Sequence, residues 1–469
     1  MHWADAVIFI LYTLSMLGVG VYFMRKNASE DDYYAGGRDL NQWHIGLSVV
    51  ATDVGGGFSI GLGGLGFTMG LSGSWMLFTG LIGAWLAAVV LIPKVYPIGR
   101  NLGLLTFPEL IGHHFGKRVA WMAALLSLIG YLGFTSSQLL AGAKLASATF
   151  PSLGLQQALW IMGAIAVVYT VMGGLKAVIY TDTVQWIILM GGLALVGVPF
   201  GWKALGGWSG LQASMAPEML RLDQVGAADL INWALTIIPI WFVGMTLYQR
   251  LYASRNVHQA KRAWFIAGLF EWPLMAFLGT FLGLMAKAAF EQGLITPEMT
   301  GLSGPMDPEM GLPVFLRQVL PIGAMGLLMS AYFSAVLSTA DSCLMAASGN
   351  LLTDLLGFKR GTPLWISQLF TLFIGLIAIL IGSQMTNVLH LMLHSYAFMV
   401  SGLLVPVLAA LFDRRASANA AMAALIVGGG TSLSLGWMEM ELPWGLDPIA
   451  FGLAASVTAY LLVQQWKSN

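Results

Sequence analysis

The chain has 469 residues, 57% of them apolar and only 9% charged, with 22 basic side chains balancing 22 acidic ones at pH 7. Such a composition excludes a soluble globular domain, and the zero net charge gives no electrostatic reason to expect a nucleic-acid partner. A single cysteine, Cys343, excludes an intramolecular disulfide. The expected class is an all-α integral membrane protein.

Apolar runs of about 20 residues, the length that crosses about 30 Å of hydrocarbon, occur thirteen times. The first, 4–24, is followed rather than preceded by its basic residues Arg25 and Lys26. That is the reverse of a cleavable signal peptide and predicts a retained helix. Core helices 1 to 5 are predicted at 43–70, 74–97, 118–148, 156–174 and 179–201. A Pro-, Gly- and acid-containing external connection, 202–228, separates them from core helices 6 to 10 at 229–250, 263–288, 313–356, 363–383 and 386–411. Two more runs follow at 418–437 and 446–465.

The loops test the count independently, because short cytoplasmic loops are enriched in Lys and Arg. With the N-terminus outside and the C-terminus in the cytoplasm, seventeen basic residues fall inside and five outside, Arg250 being counted inside and Lys144 outside. No soluble domain follows the last run, which leaves transport, channel activity and membrane-embedded catalysis as candidates. HExxH, GxSxG and a cysteine–histidine pairing are absent from the intramembrane stretches, so no enzyme is expected.

Three stretches carry chemistry. The first, "ATDVGGGF" at 51–58, puts Asp53 and three glycines, Gly55 to Gly57, inside a membrane-length run. Each glycine costs about 1 kcal/mol in a helix relative to alanine. Open backbone at membrane depth is tolerated only where protein or a cavity encloses it. The bland reading is a glycine face for close helix packing; the sharper one is a broken helix whose freed carbonyls hold a cation. Gly61, Gly63 and Gly66 spell GxGxxG, but without the strand–turn–helix setting that gives that motif meaning.

The second stretch, "FSAVLSTADSCLMAAS" at 333–348, places Ala335, Ser338, Thr339 and Ser342 within about a 100° arc of one helix, with Asp341 beside it. Hard oxygen donors on one face suit a hard cation; the alternative is that the hydroxyls bond back to carbonyls one turn earlier. In the third, "GGLKAVIYTDTVQW" at 173–186, Asp182 reads by itself as a carboxylate near a helix start, interacting with the dipole.

These stretches, with "YQRLYASRNVHQAKRA", resemble the sodium/solute symporter family, which includes the sodium-coupled sugar, proline, sialic acid, iodide and choline transporters. The resemblance covers essentially the whole chain. It implies a leucine-transporter-type fold of two inverted five-helix repeats, each with a broken first helix. The chain would then divide into a leading helix and cytoplasmic loop (1–42), a first repeat (43–201), an external loop (202–228), a second repeat (229–411) and two C-terminal helices (412–469).

The resemblance further implies a sodium site made of the carbonyls of Ala51, Val54 and Ala335 with the hydroxyls of Ser338 and Thr339. A second sodium site would use Asp182, Ser338, Asp341 and Ser342, although Asp341 stands where the sugar and sialic acid branches have a hydroxyl residue. Broken helices 1 and 6 should frame the solute. The candidates are Asp53, Gly55, Gly57, Phe58, Phe134, Gln138, Trp241 and Phe242, the last two after a kink at Pro239, with Tyr396 from helix 10. Gly244 and Gly133 stand where the choline branch has cage tryptophans, which weakens choline as the solute.

The expected function is sodium-coupled symport of a small organic solute into a bacterial cell across the inner membrane. Its expected partners are Na⁺, the solute and the lipid bilayer, with no obligatory protein partner. An amino acid such as proline is the first expectation; a sugar, sialic acid, choline or a carboxylate are alternatives, and a cation channel is the competing class. His390 and His394, spaced i, i+4, read as a polar pair near the outer vestibule, and Glu271 has no evident partner in the sequence.

Overall fold

A computed structural model describes residues 2–25, 38, 40–150, 152–300, 304–358, 362–438 and 440–466. The side chains of 23, 24, 54, 57–59, 173, 174 and 176 lie outside this description. The candidate side chains of Val54, Gly57 and Phe58 are therefore outside it, as are Lys26, Lys176, Lys359, Arg360 and Lys467 of the charge count. Among the described residues every element is helical, apart from one isolated bridge between Leu40 and Ser254.

The chain begins with α1, Trp3–Met24. Asn41, whose side chain accepts from the amides of Trp43 and His44, starts α2, Gln42–Met69; such a cap satisfies donors that a helix start leaves unpaired. α2 is not a continuous rod: Gly55 sits at φ 16°, ψ −161°, outside helical space. After a short turn come α3, Trp75–Leu86, and α4, Ile92–Leu102, then α5, Phe107–Phe115, opened by a capping box between Thr106 and Glu109. α6 is Lys117–Thr149 and α7 Leu155–Gly192. Two short helices, α8 (Val198–Ala204) and α9 (Gly207–Ser214), lead to the second half.

There, α10 (Ala227–Val243) and α11 (Met245–Ala253) form a pair bent by 41°. The bend falls at Gly244, not at the predicted Pro239, which stays inside α10. α12 (Val257–Leu269) and α13 (Ala276–Glu291) follow. The predicted run 313–356 divides into α14, Pro308–Val319, and α15, Ala324–Gly349, because Pro321 and Gly323, the latter at φ 87°, turn the chain between them. The series ends with α16 (Leu364–Gly382), α17 (Val388–Phe412), α18 (Ala418–Trp437) and α19 (Pro448–Trp466).

Eleven helical stretches among the described residues are long and apolar enough to cross a membrane, or twelve with the bent α10–α11 pair. The predicted thirteen is not confirmed by this count, which takes the second half of α2 together with α3 and α4, although the chain turns between α2 and α3 at Gly70, φ 66°.

The helix from Ala324 onward is the axis of the molecule, buried along nearly its whole length, whereas much of α1 is exposed. α15 lies against α1, α2, α6 and α7. Ser338, Thr339, Asp341 and Ser342 on α15 are enclosed by protein rather than lipid, and each has a hydrogen-bond partner on another helix.

Candidate functional site

The break in α2 and the oxygen-lined face of α15 meet. The Thr339 hydroxyl donates to the Ala51 carbonyl at 3.1 Å, across 288 residues of sequence. Glycine makes the approach feasible: a Cβ on Gly55 would lie 2.6 Å from Thr339 Cβ, and one on Gly56 2.6 Å from Val336 Cγ2. The glycine run therefore breaks the helix and also seats α15 against it.

Ser338 turns elsewhere. Its hydroxyl donates to Asp182 Oδ1 on α7. The other oxygen of Asp182 accepts from Ser48 and lies 3.3 Å from Arg250 Nη2, with both charged side chains completely buried. Arg250 also donates from Nε to Ser48 at 2.9 Å, from Nη2 to Ser342 at 2.8 Å and to Thr52, and from Nη1 to the Thr246 carbonyl at 3.2 Å. Its guanidinium thus stands among Asp182, Ser338 and Ser342, three residues of the expected second sodium site. The fourth, Asp341, faces away and accepts from Thr170.

Arg250, counted among cytoplasmic loop charges, is at 0% exposure a buried strut linking α2, α7, α11 and α15. Lys144, counted outside, is likewise buried, 2.7 Å from Asp307 and 2.6 Å from Glu309. The signal that could have found Arg250 is its place six residues after a glycine break inside an apolar run. Ser342 also donates to the Ser338 carbonyl at 3.0 Å, the one-turn-back bond that is the bland reading of such hydroxyls. Ala335 is buried one turn before Thr339.

The expected solute residues divide into groups. Phe134 and Tyr396 meet edge to face at 4.7 Å between ring centroids, and Tyr131 lies 6.3 Å from Phe134. The Tyr131 hydroxyl accepts from the amide of Thr246, just past the Gly244 bend, so this aromatic group touches the second broken helix. Gln138 is buried on the same α6 and donates to Ser137. Trp241 faces a different neighbourhood: it fills the space a Cβ on Gly83 would take and packs T-shaped against Trp264 at 6.5 Å. Phe242 offers its carbonyl to the Tyr248 hydroxyl at 2.9 Å. Asp53, 5% exposed, meets the carboxyl of Glu271, which supplies the partner missing from the sequence. His390 and His394 are in contact, Nε2 to Nε2, at 2.7 Å.

Comparison with known proteins bears on this geometry. The profile of the sodium:solute symporter family matches residues 33–428. The chain belongs to that family. The symporter is 28% identical to the high-affinity proline transporter PutP of Bacillus subtilis (strain 168), over 96% of this chain and 95% of that one. It is 28% identical to the sodium/proline symporter of Salmonella typhimurium, over 92% and 88%. With the human sodium/myo-inositol cotransporter 2 it shares 30% identity over 80% of this chain and 60% of the relative. Among solved structures, the substrate-bound outward-open state of a Na⁺-coupled sialic acid symporter matches with a TM-score of 0.81 at 21% identity, covering 99% of this chain and 98% of that one. The symporter thus has the leucine-transporter-type fold, with Gly55 and Gly244 marking the two broken helices. It is a multi-pass membrane transporter, not an enzyme; it couples solute movement to sodium.

Proposed function

We propose that the symporter carries a small amino acid such as proline into a bacterial cell. In this reading it sits in the inner membrane with its N-terminus outside and its C-terminus in the cytoplasm, and works without an obligatory protein partner. The contact between Thr339 and Ala51 carries the reading. A hydroxyl and a carbonyl each have lone pairs to spare. With its proton turned aside, Thr339 presents an oxygen opposite that of Ala51, and a hard cation between them bridges α2 and α15. Sodium bound there holds the broken helix against α15 and shapes the solute side of the same break. Coupling is reciprocal, so the solute tightens sodium binding by the factor that sodium tightens solute binding. Alternating exposure of the loaded site then moves both inward, with no covalent bond made or broken.

The two proline carriers support the choice of solute, because their likeness runs through nearly the full length of both partners, whereas the human inositol carrier is matched over 60% of its length. In proteoliposomes, an inward sodium gradient should drive saturable uptake of labelled proline. Uptake of a sugar or polyol instead would overturn the choice of amino acid, and sodium current without any solute would identify a channel.

A further inference from the structure

Most buried carboxylates of the symporter are met by donors. Asp182 has Arg250, Ser48 and Ser338. Glu309 has Lys144 and the amides of Val388 and Leu389; Asp5 has the amides of Gly323 and Gly326. Glu271 differs. It is completely buried, and among the described residues no donor reaches either of its oxygens or Oδ2 of Asp53. The two carboxyl groups meet where α2 packs against the Phe270–Met275 stretch.

The placement of Glu271 is built in. It lies in the wide-turned stretch Phe270–Met275 between α12 and α13, and its Oε2 occupies the volume that any side chain larger than glycine at position 80 of α3 would fill. Asp53 comes two residues before the break in α2. The aromatic group of Tyr131, Phe134 and Tyr396 stands nearby: Tyr396 feels the charges of both carboxyls, and Tyr131 that of Asp53.

Two carboxyls side by side and out of water repel unless one keeps its proton or a ligand neutralises them, and a ligand that does so must carry positive charge and hydrogen-bond donors of its own. An organic ammonium meets that requirement. Its N–H groups suit carboxylate oxygens, and its carbon skeleton suits aromatic faces, where a desolvated cation gains about 2 kcal/mol or more. A polyol brings hydroxyls but no charge. Sodium already has an oxygen pair of its own at Ala51 and Thr339. We infer that Glu271 and Asp53 together hold the positively charged nitrogen of the transported solute. The inference rests on the reading that the solute is an amino acid, and it adds Glu271 as a residue that selects for the amine.

The test uses the full chain in proteoliposomes. In the unaltered protein, tetrahydrofuran-2-carboxylate, which has a ring oxygen in place of proline's nitrogen, should compete for labelled-proline uptake at least tenfold more weakly than unlabelled proline. That comparison needs no variant. In Glu271→Gln, which keeps the shape and removes the charge, the KM for proline should rise at least tenfold, the discrimination between the two competitors should shrink, and half-saturation by sodium at saturating proline should stay put. Equal competition by the oxygen analogue, or an unchanged KM and discrimination in Glu271→Gln, would overturn the inference while leaving proline transport intact. A shift in sodium half-saturation without a shift in proline KM would also overturn it, by placing an ion between the carboxyls. Failure of the unaltered protein to transport proline or any other amine would instead refute the amino-acid reading beneath it.

Discussion

Arg250 and Asp182 form an ion pair at 3.3 Å with neither side chain exposed. Charges removed from water are tolerable only when paired and hydrogen-bonded, and removing one partner strands the other at a penalty of about 3–5 kcal/mol. Arg250→Met should therefore lower the thermal stability of the purified protein sharply. Adding Asp182→Asn to that variant should recover part of the loss, since the stranded charge is then gone. Additive losses in the double variant would show that the two residues act independently.

The same guanidinium bears on stoichiometry. It already supplies the positive charge among Asp182, Ser338 and Ser342 that a second sodium ion would bring. Dual-label flux of ²²Na⁺ and solute in proteoliposomes should give a single sodium per solute. A ratio of two would mean that Arg250 leaves this position during the cycle.

Thr339 and Ser338 should differ although they are neighbours. Thr339 faces the α2 carbonyl of Ala51, whereas Ser338 serves Asp182. Thr339→Ala should raise the sodium concentration for half-maximal uptake at least tenfold, equivalent to about 1.4 kcal/mol, with Thr339→Ser close to normal. Ser338→Ala should weaken sodium coupling less. Sodium half-saturation measured side by side in the three variants decides it, and normal sodium dependence in Thr339→Ala would remove the site assignment.

The glycines at the break should tolerate no side chain. Gly55→Ala would drive a methyl into Thr339, and Gly56→Val would collide with Val336 and Ala141. Both variants should reach the membrane yet lose sodium-driven uptake, as checked by surface labelling and transport in the same cells.

Lys144 and Glu309 tie α6 to the start of α17, because Glu309 also accepts from the amides of Val388 at 3.0 Å and Leu389 at 2.9 Å. Their side chains are 2% and 6% exposed, so Lys144→Met should destabilise the fold by about 3–5 kcal/mol, as expected for a broken buried pair. The Arg221–Asp223 pair, with both partners 59% exposed, is the contrast. Arg221→Ala should leave the melting temperature unchanged.

Much of this architecture was legible in the residues themselves. Apolar runs of membrane length marked most of the spans, the glycine triplet marked the break in α2, and the Ser338-Thr339-x-Asp341-Ser342 pattern marked a polar helix face. Each of these is a local property: hydrocarbon thickness sets run length, glycine loosens a helix where it stands, and 3.6-residue periodicity groups side chains on a face. The resemblance to known symporters added which oxygens to look for.

Partners were not legible, because they are chosen by packing between distant segments. Arg250 looked like a loop charge, and nothing local to it announces Ser48, Asp182 or Ser342, which lie 202, 68 and 92 residues away. Glu271 lacked a partner for the same reason, its counterpart Asp53 being on the first broken helix. Sequence by itself determined that this is a multi-helix membrane protein with a broken, oxygen-rich centre. Only the tertiary structure decided that Thr339 faces Ala51, that Ser338 turns to Asp182, and that Gly244 rather than Pro239 bends the second broken helix. A helix's own pattern sets which side chains share a face, whereas the neighbours that enclose that face set what each one bonds to.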